Sequence, residues 1–221
     1  MRAAHARLRR RAWAGACLVA IAVAAGSGAH AGECASDARE RLGWIDQRLA
    51  RTAHNARLWA WGWGVGIGAS GVASLAVVPF VAREDRVDWY TSAGTAAIGV
   101  LPFLFSPLRA PADSPKLHAA IVGLPANDPD ATCRLLAEAE TLLIENARNQ
   151  HDEQRWWLHA GNVAFNTGVL LFLGLGYHHW TGGIINGAAG AAVGEAIIFT
   201  QPTASIGDAE AYRSWPGQKE P

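Results

Sequence analysis

The sequence predicts an all-α integral membrane protein: four transmembrane helices as two hairpins, each preceded by an amphipathic extramembrane helix, the whole an internal duplication. Three observations carry this. Four apolar stretches, 59–82, 89–108, 157–176 and 183–200, each come to about twenty residues, the length that crosses about 30 Å of hydrocarbon at about 1.5 Å per residue. Aromatic residues gather at their ends, at Trp59, Trp61 and Trp63, at Trp89 and Tyr90, at Trp156 and Trp157, and at Tyr177 and Trp180, and such rings favour the headgroup layer. Finally, one order of features occurs twice, in 34–107 and in 133–202: a cysteine, a polar helix, a tryptophan cluster and two glycine-rich apolar segments. The mean hydropathy of only +0.07 reflects glycine and alanine standing where leucine would otherwise be.

Residues 1–31 read as a signal peptide. Arg2, Arg7, Arg9, Arg10 and Arg11 precede the apolar run 12–25, and the stretch ends on Ala29-His30-Ala31, an A-x-A cleavage site. Cleavage takes five arginines and no acid from the 19 basic and 19 acidic residues, leaving a net charge of −5. With no basic stripe to replace phosphate counterions, nucleic acid is excluded as a partner. Cys17 leaves with the signal, so Cys34 and Cys133 remain. An even pair in an exported chain reads as a disulfide, and closing a loop of about 100 residues is worth about 4.7 kcal/mol in the chain-entropy model. Ala31-Gly32-Glu33-Cys34 has the spacing of a lipidation site, but Glu33 stands where a small residue is needed, and lipidation is rejected.

Repeat 1 covers 32–109. Its polar helix opens with Asp37 and Glu40 as a capping pair and carries Leu42, Ile45 and Leu49 on one face. A proline-rich connector, 110–129, leads to repeat 2 at 130–202. There Pro129-Asp130 is the start signal, and Leu135 or Leu136, Ala139, Leu142 or Leu143 and Ala147 mark the apolar face. A polar tail, 203–221, follows. At an offset of 99, Cys34 falls on Cys133, Ile45 on Ile144 and Gly62 on Gly161; at 95, Pro107 falls on Pro202. Small residues four apart, Gly62 and Gly66, Gly64 and Gly68, Gly183 and Gly187, Gly190 and Gly194, predict close helix packing. The alternation in 61–68 also has a strand's period of two. Barrel strands, however, are about half the length of these segments and number at least eight, so helices are expected.

The signal exports the N-terminus, and each repeat has an even number of spans. Both polar helices, the connector and the tail therefore lie on the periplasmic or outer side of a bacterial-type inner (cell) membrane, with the turns 83–88 and 177–182 opposite. The repeats run parallel, related by an axis along the membrane normal. Mixed charge in the first turn and histidines in the second give the positive-inside rule little to act on.

His159, Asn162, Asn166 and Glu195 interrupt the apolar segments of repeat 2, where repeat 1 has Ala60, Trp63, Ile67 and Val100. At 1.5 Å per residue Asn162 lies about 8 Å deep, Asn166 about 13 Å and Glu195 about 9 Å. The asparagines share one face, and Glu195 is expected to donate its proton to an asparagine carbonyl across the hairpin. A polar lock between two helices is the plainer reading, and a proton or cation site the sharper one. Tyr177-His178-His179-Trp180 reads as an interfacial turn: adjacent histidines diverge on a helix, and no Cys, Asp or Glu accompanies them at ligand spacing. No metal or cofactor is expected, and neither a nucleophile elbow nor a phosphate-cradling loop is present, so the chain is read as a non-enzyme. The expected role is a structural or assembly component of the cell envelope, with the bilayer and a second copy or another membrane protein as partners. The alternative is a small transporter or channel component working around Glu195.

Overall fold

The computed structural model describes residues 37–105 and 108–215. Residues 1–31, expected to be a signal peptide, and Cys34 lie outside these residues. The described residues are helical throughout, with no strand: α1 (Ala38–Val77), α2 (Arg86–Phe105), α3 (Ala110–Val122), α4 (Pro129–Asp152), α5 (Trp156–Tyr177), α6 (Trp180–Phe199) and α7 (Ala204–Arg213). Four helical stretches are long and apolar enough to cross a membrane.

The molecule has two ends with opposite exposure. At one end the first half of α1 packs with α3, α4 and α7 around a core of Leu42, Ile45, Leu49, Leu117, Leu136 and Leu143. The spacing of three and four on α1 and α4 puts these side chains on one side of each helix. Beyond Ala56 the pattern inverts. Trp61, Val65, Val72, Leu75, Ile98, Leu104, Leu175 and Ile185 are all exposed, which is costly in water and favourable in hydrocarbon. From Leu58 to Leu75, both exposed, α1 advances about 26 Å, most of the roughly 30 Å of a bilayer core. The lipid-facing half thus begins where the buried core ends.

Local structure departs from expectation in four places. The polar helix and first span are one unbroken helix of 40 residues, since nothing between Arg51 and Leu58 stops it; in the second half the chain breaks between Asp152 and Trp156, with Arg155 extended. The connector contains α3 despite Pro111 and Pro115. Pro111 sits in the first turn, where no N–H is needed, and the Pro111 carbonyl that Pro115 cannot bond accepts instead from Arg57 Nη2 at 3.0 Å. The tail forms α7, whose Ser205 N–H donates to buried Gln150 Oε1 at 2.9 Å. Asp37 does not cap α1 with its side chain; its carboxylate accepts from Trp215 Nε1 at 3.2 Å. Asp128 does cap α4, accepting from the Ala131 N–H at 2.8 Å.

A buried polar network ties the bundle together. Arg41 and the Tyr212 hydroxyl both donate to Glu140, and Asn146 Nδ2 donates to Asp113 Oδ2 at 3.0 Å. Burial, reinforced by Glu140, pushes the Tyr212 phenol above its ordinary pKa.

The glycines divide into two groups. Gly62, Gly64, Gly66 and Gly68 have nothing within 4 Å of where a Cβ would stand, so these four glycines meet no other helix. Gly183 and Gly187 lie directly on α5, a Cβ there falling 2.7 Å from the Leu170 carbonyl and 2.9 Å from that of Asn166. Gly183 and Gly187, and with them Gly190 and Gly194 against asparagine side chains of α5, do the work predicted from small-residue spacing, and the Gly62–Gly68 run does not.

Candidate functional site

The four polar residues singled out in repeat 2 come together on α5 and α6. His159 Nδ1 hydrogen-bonds Glu195 Oε2, and Asn162 Nδ2 donates to Glu195 Oε1 at 3.0 Å and to the Ala191 carbonyl at 2.9 Å. Asn166 Nδ2 donates to the side-chain and backbone oxygens of Asn162, both at 2.9 Å. The expected bond runs the other way round: asparagine donates and Glu195 accepts. A carbonyl can only accept, so Ala191 fixes which edge of the Asn162 amide carries nitrogen. Two glycines make room, because a Cβ on Gly194 would sit 2.1 Å from Asn162 Oδ1 and one on Gly190 2.0 Å from Asn166 Oδ1.

Counted from the bundle end of α5, His159 lies about 5 Å down, Asn162 about 9 Å and Asn166 about 15 Å. His159 and Glu195 keep side-chain exposures of 29 % and 27 %, placing the pair at the rim.

The series continues toward the opposite end through residues that sequence reading passed over. The Ser92 hydroxyl of α2 donates to Asn186 Oδ1 of α6, and Asn186 Nδ2 donates to the Gly182 carbonyl at 3.0 Å. At the turn end His179 Nδ1 lies 3.2 Å from each Asp88 carboxylate oxygen. His179 reaches there because His178 adopts the left-handed conformation (φ 61°) and the His179 N–H closes back on the Leu173 carbonyl at 3.0 Å, the helix-ending turn usually given to glycine. Asp88, in the first turn of α2, and His179, at the start of α6, are far apart in the chain, so no local spacing pointed to them.

Beside this series lies a cavity of about 760 Å³ between the spans, walled by Ile67, Ser70 and Ser74 of α1, Asp88, Ser92 and Thr95 of α2, and Asn162, Asn166, Asn186 and Gly190 of α5 and α6. Its polar lining is biased. Ser70, Ser74 and Thr95 donate their hydroxyl hydrogens to carbonyls of their own helices, Ser92 to Asn186, and Asn162 and Asn166 use both amide hydrogens. Oxygen lone pairs are left facing the space, with Trp89 and Asn186 as the donors not fully used among the described lining residues. A lining rich in acceptors that includes the Asp88 carboxylate favours positive charge.

No known protein family matches the chain, and neither a curated protein nor a solved structure is similar enough to it to be matched.

Proposed function

We propose that the protein is an integral component of the bacterial-type cell membrane that holds and passes a small cation, proton included, along the polar seam between α2, α5 and α6. One observation carries this reading: apart from Trp89 and Asn186, the side chains lining the cavity spend their donors on other groups of the protein, the Asp88 carboxylate stands in that lining, and Asn162, also in it, is bonded to Glu195 beside the cavity. A polar lock would need the hydrogen bonds but not the space beside them. An ionisable side chain within a span is expensive and by default functional, and Glu195 has His159 as a partner for a proton. The test is flux into liposomes containing the purified protein. Wild type should conduct protons or a monovalent cation above protein-free vesicles. Glu195→Gln, with unchanged thermal unfolding, should lose at least tenfold of that flux. A wild type no leakier than empty vesicles removes the function.

The architecture belongs to the same proposal. Two hairpins related by a twofold axis along the membrane normal account for a particular kind of contact: Arg41 meets Glu140, and both stand at the offset of 99 that pairs Cys34 with Cys133. Residues at equivalent positions touch only near such an axis. Ser92 and Asn186, one residue away from the offset of 95, touch as well. The disulfide expected from the sequence belongs to the same plan, and what supports it is a neighbouring contact: Arg39 Nη2 donates to the Pro125 and Ala126 carbonyls at 2.9 and 2.7 Å, which sets the start of α1 beside the residues leading into α4. The bundle end is assigned to the periplasmic or outer side by the export signal.

A second role, assembly with another copy or a different membrane protein, is favoured by the Gly62–Gly68 run. Four glycines on one span with nothing packed on them suit the close approach of a helix from outside the molecule.

A further inference from the structure

We propose that Asp85, Asp88 and His179 form a binding site for a divalent transition-metal ion of the zinc, cobalt or manganese kind, at the turn end of the seam. One ligand atom from each, two carboxylate oxygens and an imidazole nitrogen, lie within 4.8 Å of one another. The 3.2 Å between His179 Nδ1 and Asp88 is close to the edge, about 3.4 Å, of a tetrahedron with metal–ligand bonds of about 2.1 Å.

The set is assembled from two turns. Asp85 lies in the link between α1 and α2 and Asp88 in the first turn of α2, held by the Asp85 N–H on the Ala82 carbonyl at 3.1 Å and the Asp88 N–H on the Asp85 carbonyl at 3.2 Å. His179 is delivered by the left-handed His178. Gly182 leaves the necessary space, since a Cβ there would fall 2.2 Å from Asp88 Oδ2.

Charge supplies an independent reason. Two carboxylates converge, yet among the described residues neither is paired with a lysine or arginine, and Arg86, between them in sequence, makes no ion pair. Like charges gathered with no partner beyond a histidine, itself a metal ligand, are what a cation relieves. One nitrogen and two oxygens suit borderline divalent ions, which accept imidazole as well as carboxylate, whereas calcium and magnesium prefer oxygen alone. Three protein ligands leave coordination positions open toward the cavity that Asp88 lines.

The site goes beyond the cation reading, adding a bound divalent ion at the turn end of a seam proposed to pass protons or a monovalent cation. Its test is equilibrium binding, so a protein that binds the ion and conducts nothing keeps the site and loses the pathway. Tag-free protein in detergent is titrated with Zn²⁺ by calorimetry and with Co²⁺ by visible absorption, with Mg²⁺ and Ca²⁺ as competitors. One ion per chain is expected, undisturbed by a hundredfold excess of Mg²⁺ or Ca²⁺. Asp85→Asn, an exposed position with little to lose in folding, and His179→Gln should each weaken binding at least tenfold, and Glu84→Gln should leave it unchanged. The proposal is overturned by no stoichiometric Zn²⁺ binding, by preference for Mg²⁺ or Ca²⁺, or by affinity that Asp85→Asn and His179→Gln leave intact.

Discussion

Replacing Gly194 by alanine tests the seam at its tightest point. The added Cβ would lie 2.1 Å from Oδ1, 2.5 Å from Cγ and 2.7 Å from Nδ2 of Asn162, against an ordinary contact of about 3.5–4.0 Å. Because three atoms of one planar group are overlapped, no rotation of the amide in place relieves it; the side chain must leave. Overpacking costs about 1–3 kcal/mol. Leaving also breaks the bonds to Ala191 and Glu195, each worth about 0.6 kcal/mol between membrane helices. Alanine returns up to about 1 kcal/mol of helix propensity, so the net loss is about 1–3 kcal/mol. Gly66→Ala is the control: with nothing within 4 Å it should be neutral or gain up to about 1 kcal/mol. Unfolding of both variants in mixed micelles by a denaturing detergent reads the difference. The double variant Asn162→Ala with Gly194→Ala should lose less than the sum of its parts, because the clash is gone. If Gly194→Ala is as stable as wild type, or Gly66→Ala is the more damaging, the packing of α5 on α6 described above is wrong.

Two further outcomes follow from the bundle end. Cys34 and Cys133 should be linked in protein purified from the envelope without reductant, giving a faster non-reduced band and no thiol that labels before reduction; two labelled thiols in native protein would rule the bridge out. Asp208 has a pKa raised by burial, against the lowering influence of Arg48 and Arg51. The folded state therefore holds this proton more tightly than the unfolded chain, so this group's contribution favours folding at acidic pH and is lost as pH rises through its folded pKa. Stability of wild type should fall relative to Asp208→Asn across that window, and a relative rise would contradict the assignment.

Much of this was legible because it depends on local period. Leu42, Ile45 and Leu49, spaced three and four apart, are buried together, and Asn162 and Asn166, one turn apart, bond to each other. What failed to show depends on neighbours from elsewhere in the chain. Gly62 and Gly66 have the same spacing as Gly190 and Gly194, yet one pair meets nothing and the other meets two asparagines; a spacing gives the face and says nothing of what lies opposite. Asp88 and His179 are joined only by folding. In 110–129 the prolines read as breakers, and α3 survives because Arg57, from another helix, satisfies the carbonyl that Pro115 leaves open.

The two halves differ most where their proposed equivalence would make them alike. Positions occupied by Ala60, Trp63, Ile67 and Val100 in the first half carry His159, Asn162, Asn166 and Glu195 in the second. Packing alone gives no reason for the polar set, since α1 and α2 associate closely through Gly71 against Ala96 and Gly99 against Ile67. Polar bonds between membrane helices add only modest energy, so a carboxylate, an imidazole and two amides are a costly way to hold α5 to α6 if holding is their whole task. Converting Asn162, Asn166 and Glu195 together to leucine would separate the two demands only if Gly190 and Gly194 did not crowd α5. They do, which makes Glu195→Gln the cleaner substitution: it keeps the shape and an acceptor for Asn162, and removes the one group in the cluster able to carry negative charge. Flux that follows the charge while stability follows the shape is the signature that distinguishes a conducting seam from a lock.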